Sequence, residues 1–547
     1  MTLRPSTAPQ GVPLPSPSAS PLPDGPDPES DSLRAASPTV TRFLATAVND
    51  PLFESTAASA LVTELVDFAA ACRLDYAASL VAESASVCPP SVEDPDALDI
   101  PTPRSYAEAI EGPYSSQWKA AMDAEMASWK STGTYVDEVP PPGANIVSGM
   151  LIRPPSFTGS FPSSTQWSLR RPVYGLRQAP REWHDTLRMT LAALGFAPST
   201  ADPSLFLRTD TPLSPFYVLV YVDDLVFATA HMEALAHVKS ELQKRHTWTD
   251  LGEVTSYLGL RITWDRAQRT ITLTQSHMVQ QVLQRFGFTY SSPQSTPLPT
   301  GHSLSGPPLD ESVELSGLYP ELVGCLMYLM TCTRLDLAYP LSLLSRYMAP
   351  GRHRKVHWDA AKRVLRYLCS TSGIGLVLGG RARVVLTGHA DASWVDDLAT
   401  QRSSQGYTFS LGSGSVSWRS TRSSSVLSSS CEAEIYAGAM AAQELRWLTY
   451  LLTDLGEVPR SPPVLYVDNK AMLALCQEHR LEHTTKHIAL RYFLARELHQ
   501  RGQLRLAYVA SQANTADVFT KALQPCDHQR FCTVLGLVPT VPHLLTS

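Results

Sequence analysis

Two groups of acidic residues have the types and spacing that metal-dependent chemistry needs. The first is Asp223-Asp224, set between the apolar runs Phe216-Tyr-Val-Leu-Val-Tyr221 and Leu225-Val-Phe227. That pattern predicts a β-hairpin with both carboxylates at its tip. Two carboxylates at a bend between buried strands repel each other unless a cation or water compensates. Mg²⁺ suits the position, because it prefers carboxylate oxygens plus phosphates, and two-metal phosphoryl transfer holds its ions about 4 Å apart. The plainer reading is a surface hairpin that uses Asp for its turn propensity.

The second group is Asp391, Glu434, Asp468 and Asp517, separated by 43, 34 and 49 residues. Asp391 stands near the end of an apolar strand that begins at Val384, and Glu434 stands in the first turn of a Ser-capped helix. Asp468 ends a short buried strand, Val464-Leu-Tyr-Val467, and Asp517 opens a final helix. Acids at strand ends and helix starts can converge at one end of a sheet, where two Mg²⁺ ions would need four carboxylates. Singly, each has a structural explanation: a helix-dipole residue at Glu434, a cap at Asp468, an N-terminal helix acid at Asp517. Together, in a β-β-β-α-β-α pattern, they point to a metal site. Glu432 competes with Glu434 for the glutamate position.

The chain that must position these acids has 547 residues, enough for three to four domain-sized pieces, which excludes a single small binding module. With 44% apolar and 18% charged residues it can bury sizeable cores. The net charge of −6 is unevenly spread: residues 1–110 carry a net −10 and residues 111–547 a net +4. A mildly basic body permits a polyanionic partner without requiring one. Nine cysteines with no CxxC pair read as free thiols in a reducing compartment. No signal peptide or membrane-length apolar run is visible, so no membrane partner is expected.

Residues 1–40 hold ten prolines and no aromatic residue, which predicts a disordered leader. A short helical island follows, and residues 1–104 read as acidic Pro/Ser-rich leader and linkers. Beyond them, Trp118, Met122 and Met126 mark a helix face, and prolines 140–142 with Gly143 stop it. From Val173 strands and helices alternate, predicting an α+β or mixed α/β architecture. A Pro/Ser/Gly-rich stretch at 291–308 precedes a helical block, and the last block starts near Val384.

The order of motifs resembles the reverse transcriptase and ribonuclease H of copia-type LTR retrotransposons. It comprises Val173-Tyr-Gly-Leu-Arg-Gln-Ala-Pro-Arg-Glu-Trp183, then Asp202-Pro-Ser-Leu-Phe206, Tyr221-Val-Asp-Asp224, Tyr257-Leu258-Gly259 and Thr296-Pro297-Leu298. The resemblance runs from about Ser105 to Leu537, nearly 80% of the chain. It implies a right-hand polymerase palm, thumb and connection followed by a ribonuclease H-like domain: 105–290 palm, 291–380 thumb or connection, 381–547 ribonuclease H. Asp223 and Asp224 match the polymerase acids. Asp391, Glu434, Asp468 and Asp517 match the nuclease acids, with Glu434 favoured because the apolar-x-Ala step Ile435-Tyr436-Ala437 follows it.

The same resemblance implies two Mg²⁺ or Mn²⁺ ions per complete site. It also implies RNA/DNA hybrid, RNA template and DNA primer as partners, along with other retroelement proteins. Nucleic-acid-binding positions are expected at Arg177, Gln178, Arg354, Lys355, Lys362, Arg363, Lys486 and His487. An ordinary solvated face is the plain alternative for the basic helix, and a zinc site for the run His479, His483, His487. The location implied is cytoplasmic, in a virus-like particle, or nuclear.

The chain departs from the family in two places. Arg334-Leu335-Asp336 stands where the family usually reads Arg-Pro-Asp. More consequentially, only 47 residues separate Met126 from Val173, and neither the basic fingers stretch nor the palm strand with the third aspartate is visible. A βαβ unit alone needs about 30 residues, so both cannot fit. The palm is therefore expected to be truncated and polymerase activity absent or very low, with cleavage of RNA in hybrids retained. The alternative is a non-catalytic relic that only binds nucleic acid.

Overall fold

The structure, a computed structural model, describes residues 106–131, 135–138, 151–152, 166–169 and 179–540. The last stretch has gaps at 210–214, 223, 246–247, 303, 305–317, 350, 381–384, 398, 458, 460 and 478–492. The expected leader, the helical island, residues 140–143, Arg177, Gln178, Asp223, His479, His483, Lys486 and His487 lie outside the described residues.

Among the described residues the architecture is mixed α/β, with four sheets. Strands β1 (Tyr135–Glu138), β2 (Leu151–Ile152) and β3 (Gln166–Leu169) pair in the order β1-β3-β2. Strands β4 (Ala197–Pro198), β5 (Leu205–Arg208), β6 (Phe216–Tyr221) and β7 (Asp224–Thr229) pair antiparallel in sequence order. The third sheet joins β8 (Ser256–Tyr257), β9 (Leu260–Asp265), β10 (Thr270–Thr274), β11 (Ile374–Gly379) and the last strand β17 (Leu537–Pro539) in the order β17-β11-β10-β9-β8. The fourth contains β12 (Leu386–Asp397), β13 (Arg402–Leu411), β14 (Ser415–Arg422), β15 (Val464–Val467) and β16 (Arg505–Tyr508), ordered β14-β13-β12-β15-β16.

The continuous apolar run of β6 is explained by burial on both of its faces. Phe216, Val218 and Val220 pack with Leu187 and Leu191 of helix Ala179–Ala193 and with Leu235 and Val238 of helix Met232–Gln243. The alternate residues Tyr217 and Leu219 join a second, larger cluster that also holds Leu273, Leu376, Phe409, Leu445 and Leu537. That one buried cluster therefore draws on residues from all three of the segments expected between 105 and 547. Hydrogen bonds make the same crossing. Tyr217 Oη donates to the Leu455 carbonyl at 2.8 Å, and Trp447 Nε1 donates to the Ala201 carbonyl at 3.0 Å. Asp454, ending helix Ser430–Asp454, accepts from Ser199 Oγ at 2.6 Å and from the amides of Thr200 and Ala201 at 2.7 and 3.1 Å.

Helices Leu318–Cys332, Ala338–Leu344 and Lys355–Ser370 pack with Ser276–Arg285 around Leu322, Leu326, Leu341, Val364 and Leu368. Below them, Arg334 and Asp336 are buried. Arg334 Nη2 and Nε meet the two Asp336 oxygens at 2.7 and 3.1 Å, Arg334 Nη1 reaches the Thr371 carbonyl, and Tyr367 Oη donates to Asp336 at 2.6 Å. The pair and its hydrogen bonds hold Asp336 below the usual carboxylate range although burial opposes its charge. Breaking a buried pair from one side leaves an uncompensated charge. Arg334→Met is therefore expected to lower unfolding stability by about 3–5 kcal/mol, and Arg334→Met/Asp336→Leu to recover much of it. Urea denaturation of the two variants checks the order, and equal losses would refute it.

Candidate active site

The fourth sheet places the nuclease-type acids. β12 and β15 run parallel with His389 opposite Tyr466, so Asp391 and Asp468, each two residues further on, arrive at the same level. Asp391 lies within β12 rather than near its end, because the strand continues through a bulge between Ser393 and Asp397 while still paired to β13. Helix Ser430–Asp454 lays Ala437, Ala441 and Ala442 in the buried core, small residues that let it sit close, and brings Glu434 to the same end.

One ligand oxygen from each of Asp391, Glu434 and Asp468 lies within 4.8 Å of the others. Asp391 is 2% exposed and Glu434 6%, while Asp468 is half-buried. Glu432 is placed differently: its Oε2 accepts from the Ser428 amide and hydroxyl at 2.7 Å, and its amide donates to the Ser429 N-cap. It secures the helix start, and Glu434 is the glutamate that reaches the cluster.

Asp517 does not open a helix as expected. It sits in a 3₁₀ turn, Thr515–Phe519, capped by Asn514, and the following helix starts separately at Pro525, where proline suits a first helical position. Asn514 Nδ2 donates to the Ala390 carbonyl at 3.0 Å and draws this turn onto β12. The approach requires Gly406 of β13, opposite Asp391: a Cβ there would stand 2.5 Å from Phe519 Cβ. The Thr520 hydroxyl donates to Asp391 Oδ2, and Lys521 Nζ lies 2.9 Å from Asp517 Oδ1 and 3.7 Å from Asp391 Oδ2. Asn514, Thr520, Lys521 and Gly406 are the site residues that sequence reasoning missed. The i, i+4 spacing of Asp517 and Lys521 was the available signal.

The electrostatics are those of acids waiting for a cation. Burial, then the charges of Asp391 and Asp468, pushes the Glu434 carboxyl well above its ordinary range. Burial, then Asp391, pushes Asp517 up to about 7. Asp391 is raised by burial despite Lys521 and Thr520. Glu434 Oε2 is buried without a hydrogen-bond partner. A hard, oxygen-seeking dication fits this donor set: three converging carboxylates, one with an unpartnered oxygen.

At the Asp-Asp hairpin, Tyr221 and Asp224 pair across the tip, and Asp224 is exposed. Val222 has φ of 52°, a left-handed conformation that is strained for a β-branched residue, and its carbonyl accepts from Trp183 Nε1 at 2.6 Å. Among the described residues Asp224 joins no metal-ligating cluster. Asp202, which opens the Asp202-Pro-Ser-Leu-Phe206 motif, is buried and accepts from the Ser204 amide, a turn-stabilising role. On the basic helix, Lys355 and Lys362 both pair with Asp359, and Arg363 donates to Gln294 and Thr296. Those cations are largely engaged within the fold, and Arg354 begins the helix as its N-cap.

Residues 144–300 match the family described as reverse transcriptase (RNA-dependent DNA polymerase). The chain is 34% identical over 413 residues to the retrovirus-related Pol polyprotein from transposon RE2 of Arabidopsis thaliana, covering 75% of this chain and 27% of that protein. It is 31% identical over 299 residues to a transposon Ty5-1 protein of Saccharomyces cerevisiae, covering 54% of this chain and 94% of that one. The chain belongs to the copia-type Pol family. This Pol segment spans about a quarter of the length of the plant polyproteins it matches. A foamy viral protease-reverse transcriptase structure shares 13% identity, over 72% of this chain and 69% of that one, at a TM-score of 0.39. Among the described residues of the Pol chain, no helix is long and apolar enough to cross a membrane.

Because the Glu434 and Asp517 carboxyls are raised, the metal-free folded chain holds more protons than the unfolded chain from about pH 4 upward. The stability they contribute is present below the unfolded pKa and lost as pH rises through about 7 for Asp517. In chelator, the thermal midpoint is therefore expected to fall from pH 5 to pH 8. Glu434→Gln should shrink that fall and raise the pH 8 midpoint by a few degrees, at roughly 2–4 °C per kcal/mol for a domain of 150–250 residues. Differential scanning calorimetry decides; an unchanged pH 8 midpoint would count against the charge crowding.

Proposed function

We propose that this chain is a retrotransposon-derived reverse transcriptase/ribonuclease H segment in which the polymerase site is incomplete and the nuclease site is whole. The observation that carries the reading is the convergence of Asp391, Glu434 and Asp468 within 4.8 Å at one end of a sheet, with an unpartnered buried oxygen on Glu434. The strand order and the β-β-β-α-β-α succession support a ribonuclease H-like domain for 381–547, with 105–290 as palm and 291–380 as thumb or connection.

The substrate class follows from the donor set and the family: an RNA strand paired to DNA, whose phosphate would approach the exposed side of Asp468. Mg²⁺ or Mn²⁺ bound there would activate a water for in-line attack and neutralise the departing oxyanion. Asp391 and Glu434 are held ready for it by the sheet and the helix start, so little reorganisation is needed at the moment of reaction. Thr520 and Asn514 fix the level of Asp391 and of the turn beside it. The hybrid's shape and 2′-hydroxyls, rather than its bases, would set specificity.

The polymerase half reads differently. Among the described residues β7, which begins with Asp224, is the edge of its sheet, as expected where a neighbouring palm strand with a further aspartate has been deleted. A two-metal site lacking one carboxylate loses geometry, and an error of about 1 Å already costs 10²-fold.

Incubation of the full chain with a labelled RNA/DNA hybrid and Mg²⁺ is expected to cleave the RNA strand, and Asp468→Asn to reduce the rate by about 10²-fold or more. Binding without cleavage would favour the non-catalytic alternative. Primer extension on an RNA template should yield no product above background; robust DNA synthesis would overturn the truncated-palm reading.

A further inference from the structure

The strand that carries Asp391 does not run straight past the acids. From Ser393 to Asp397, β12 advances four residues while its partner β13 moves only two, from Ser404 to Arg402. The surplus falls at Trp394 and Val395. Val395 has φ of 54°, left-handed and strained for a β-branched residue, and its amide donates to the buried Ser403 hydroxyl at 3.1 Å. Such strain persists only where the surroundings over-determine it, and a bulge of this kind re-aims a side chain. What it aims here is Trp394, whose indole Nε1 donates to the Leu427 carbonyl at 3.0 Å although the residue is 50% exposed.

Leu427 is buried and ends the loop that leads from β14 into helix Ser430–Asp454. Immediately after it, Ser428 gives its amide and hydroxyl to Glu432, Ser429 caps the helix, and Glu434 follows. The other end of the loop is fastened to the same bulge: the Ser423 amide donates to the Ser403 carbonyl at 2.8 Å, and the Ser403 amide to the Ser423 hydroxyl at 3.1 Å. Between these two ties stand Ser424, Ser425 and Val426, all exposed, which resist movement little. Gln405 adds a longer contact, 3.5 Å from its Nε2 to the Ala433 carbonyl.

We infer that Trp394 is a positioning residue for the acid cluster: through Leu427 it fixes where the helix start delivers Glu434 relative to Asp391, which precedes Trp394 on the same strand. This rests on reading Asp391, Glu434 and Asp468 as a metal centre. Carboxylates that repel one another push the helix start away from the sheet, and the indole tie opposes that movement from the strand that carries the facing acid. An error of about 1 Å in such a site is already costly. The groups behind metal ligands matter for the same reason.

Titration of the full chain with Mn²⁺, the free ion being followed by electron paramagnetic resonance, tests this without measuring catalysis. Trp394→Phe keeps an aromatic ring and removes the donor, and its apparent Kd for Mn²⁺ should rise about tenfold. Ser403→Ala removes the acceptor of the Val395 amide and should weaken Mn²⁺ in the same direction by about threefold. With a labelled RNA/DNA hybrid and saturating Mn²⁺, Trp394→Phe should lower kcat and leave KM unchanged. Unchanged Mn²⁺ affinity in Trp394→Phe with native circular dichroism would overturn the inference. So would a raised KM with unchanged kcat, which would make the exposed indole a contact for the hybrid instead. Should Trp394→Phe not fold, Ser403→Ala decides alone, and an unchanged Kd refutes the proposal. No Mn²⁺ on the wild type would sink the metal reading beneath it, and this inference with it.

Discussion

Everything at the candidate site depends on holding carboxylates together in a place that disfavours their charge. Asp391 and Glu434 are buried and close to each other and to Asp468, so burial and the neighbouring charges raise the cost of ionising both. A fold tolerates this only if backbone geometry over-determines the positions. Here the parallel register of β12 and β15 sets Asp391 and Asp468 level, and the alanines of the long helix let Glu434 approach. Gly406 lets the turn with Asp517 and Thr520 lie directly on β13. Removing any of these elements would let the acids separate into water, where each is more stable ionised.

The stability that offsets this crowding is drawn from well beyond the acids. The long helix has Glu434 near its start and Asp454 at its end, and Asp454 is held by Ser199, Thr200 and Ala201 next to the sheet of the Asp-Asp hairpin. β6 offers one face to its own helices and the other to the cluster that includes Phe409 and Leu445. The last strand, β17, leaves the nuclease-type segment and pairs with β11. The sheet of the Asp-Asp hairpin thus packs the core behind the acid cluster.

Much of this was legible in the sequence, for identifiable reasons. The strands flanking the Asp pair and Val464–Val467 appear as read, because apolar periodicity reports burial directly. Glu434 and Asp468 were placed by their positions at a helix start and a strand end. What periodicity cannot report is an unusual turn or an intersegment contact. Asp517 was read into a helix because a capped polar start looks alike whether a 3₁₀ turn or an α-helix follows. Asn514, Thr520 and Gly406 act on Asp391 from more than a hundred residues away or across a strand pair, and no local pattern marks them. The basic helix was read from its cations alone, and no local pattern reports that Asp359, Gln294 and Thr296 engage Lys355, Lys362 and Arg363.

The buried Arg334-Asp336 pair shows how drift and deletion differ physically. Leu335 stands where the family usually has proline, at the first position of the turn Leu335–Leu337, where proline is well tolerated but not required. The substitution puts an apolar side chain into the core and leaves both charges, the Tyr367 hydroxyl and the Thr371 carbonyl in place. Deletion of a palm strand, as proposed above, would remove a row of backbone partners and one ligand at once, and no side-chain substitution on β7 could restore either. On the function proposed above, divergence by substitution would spare the acid cluster, while the polymerase site would be limited by a missing element.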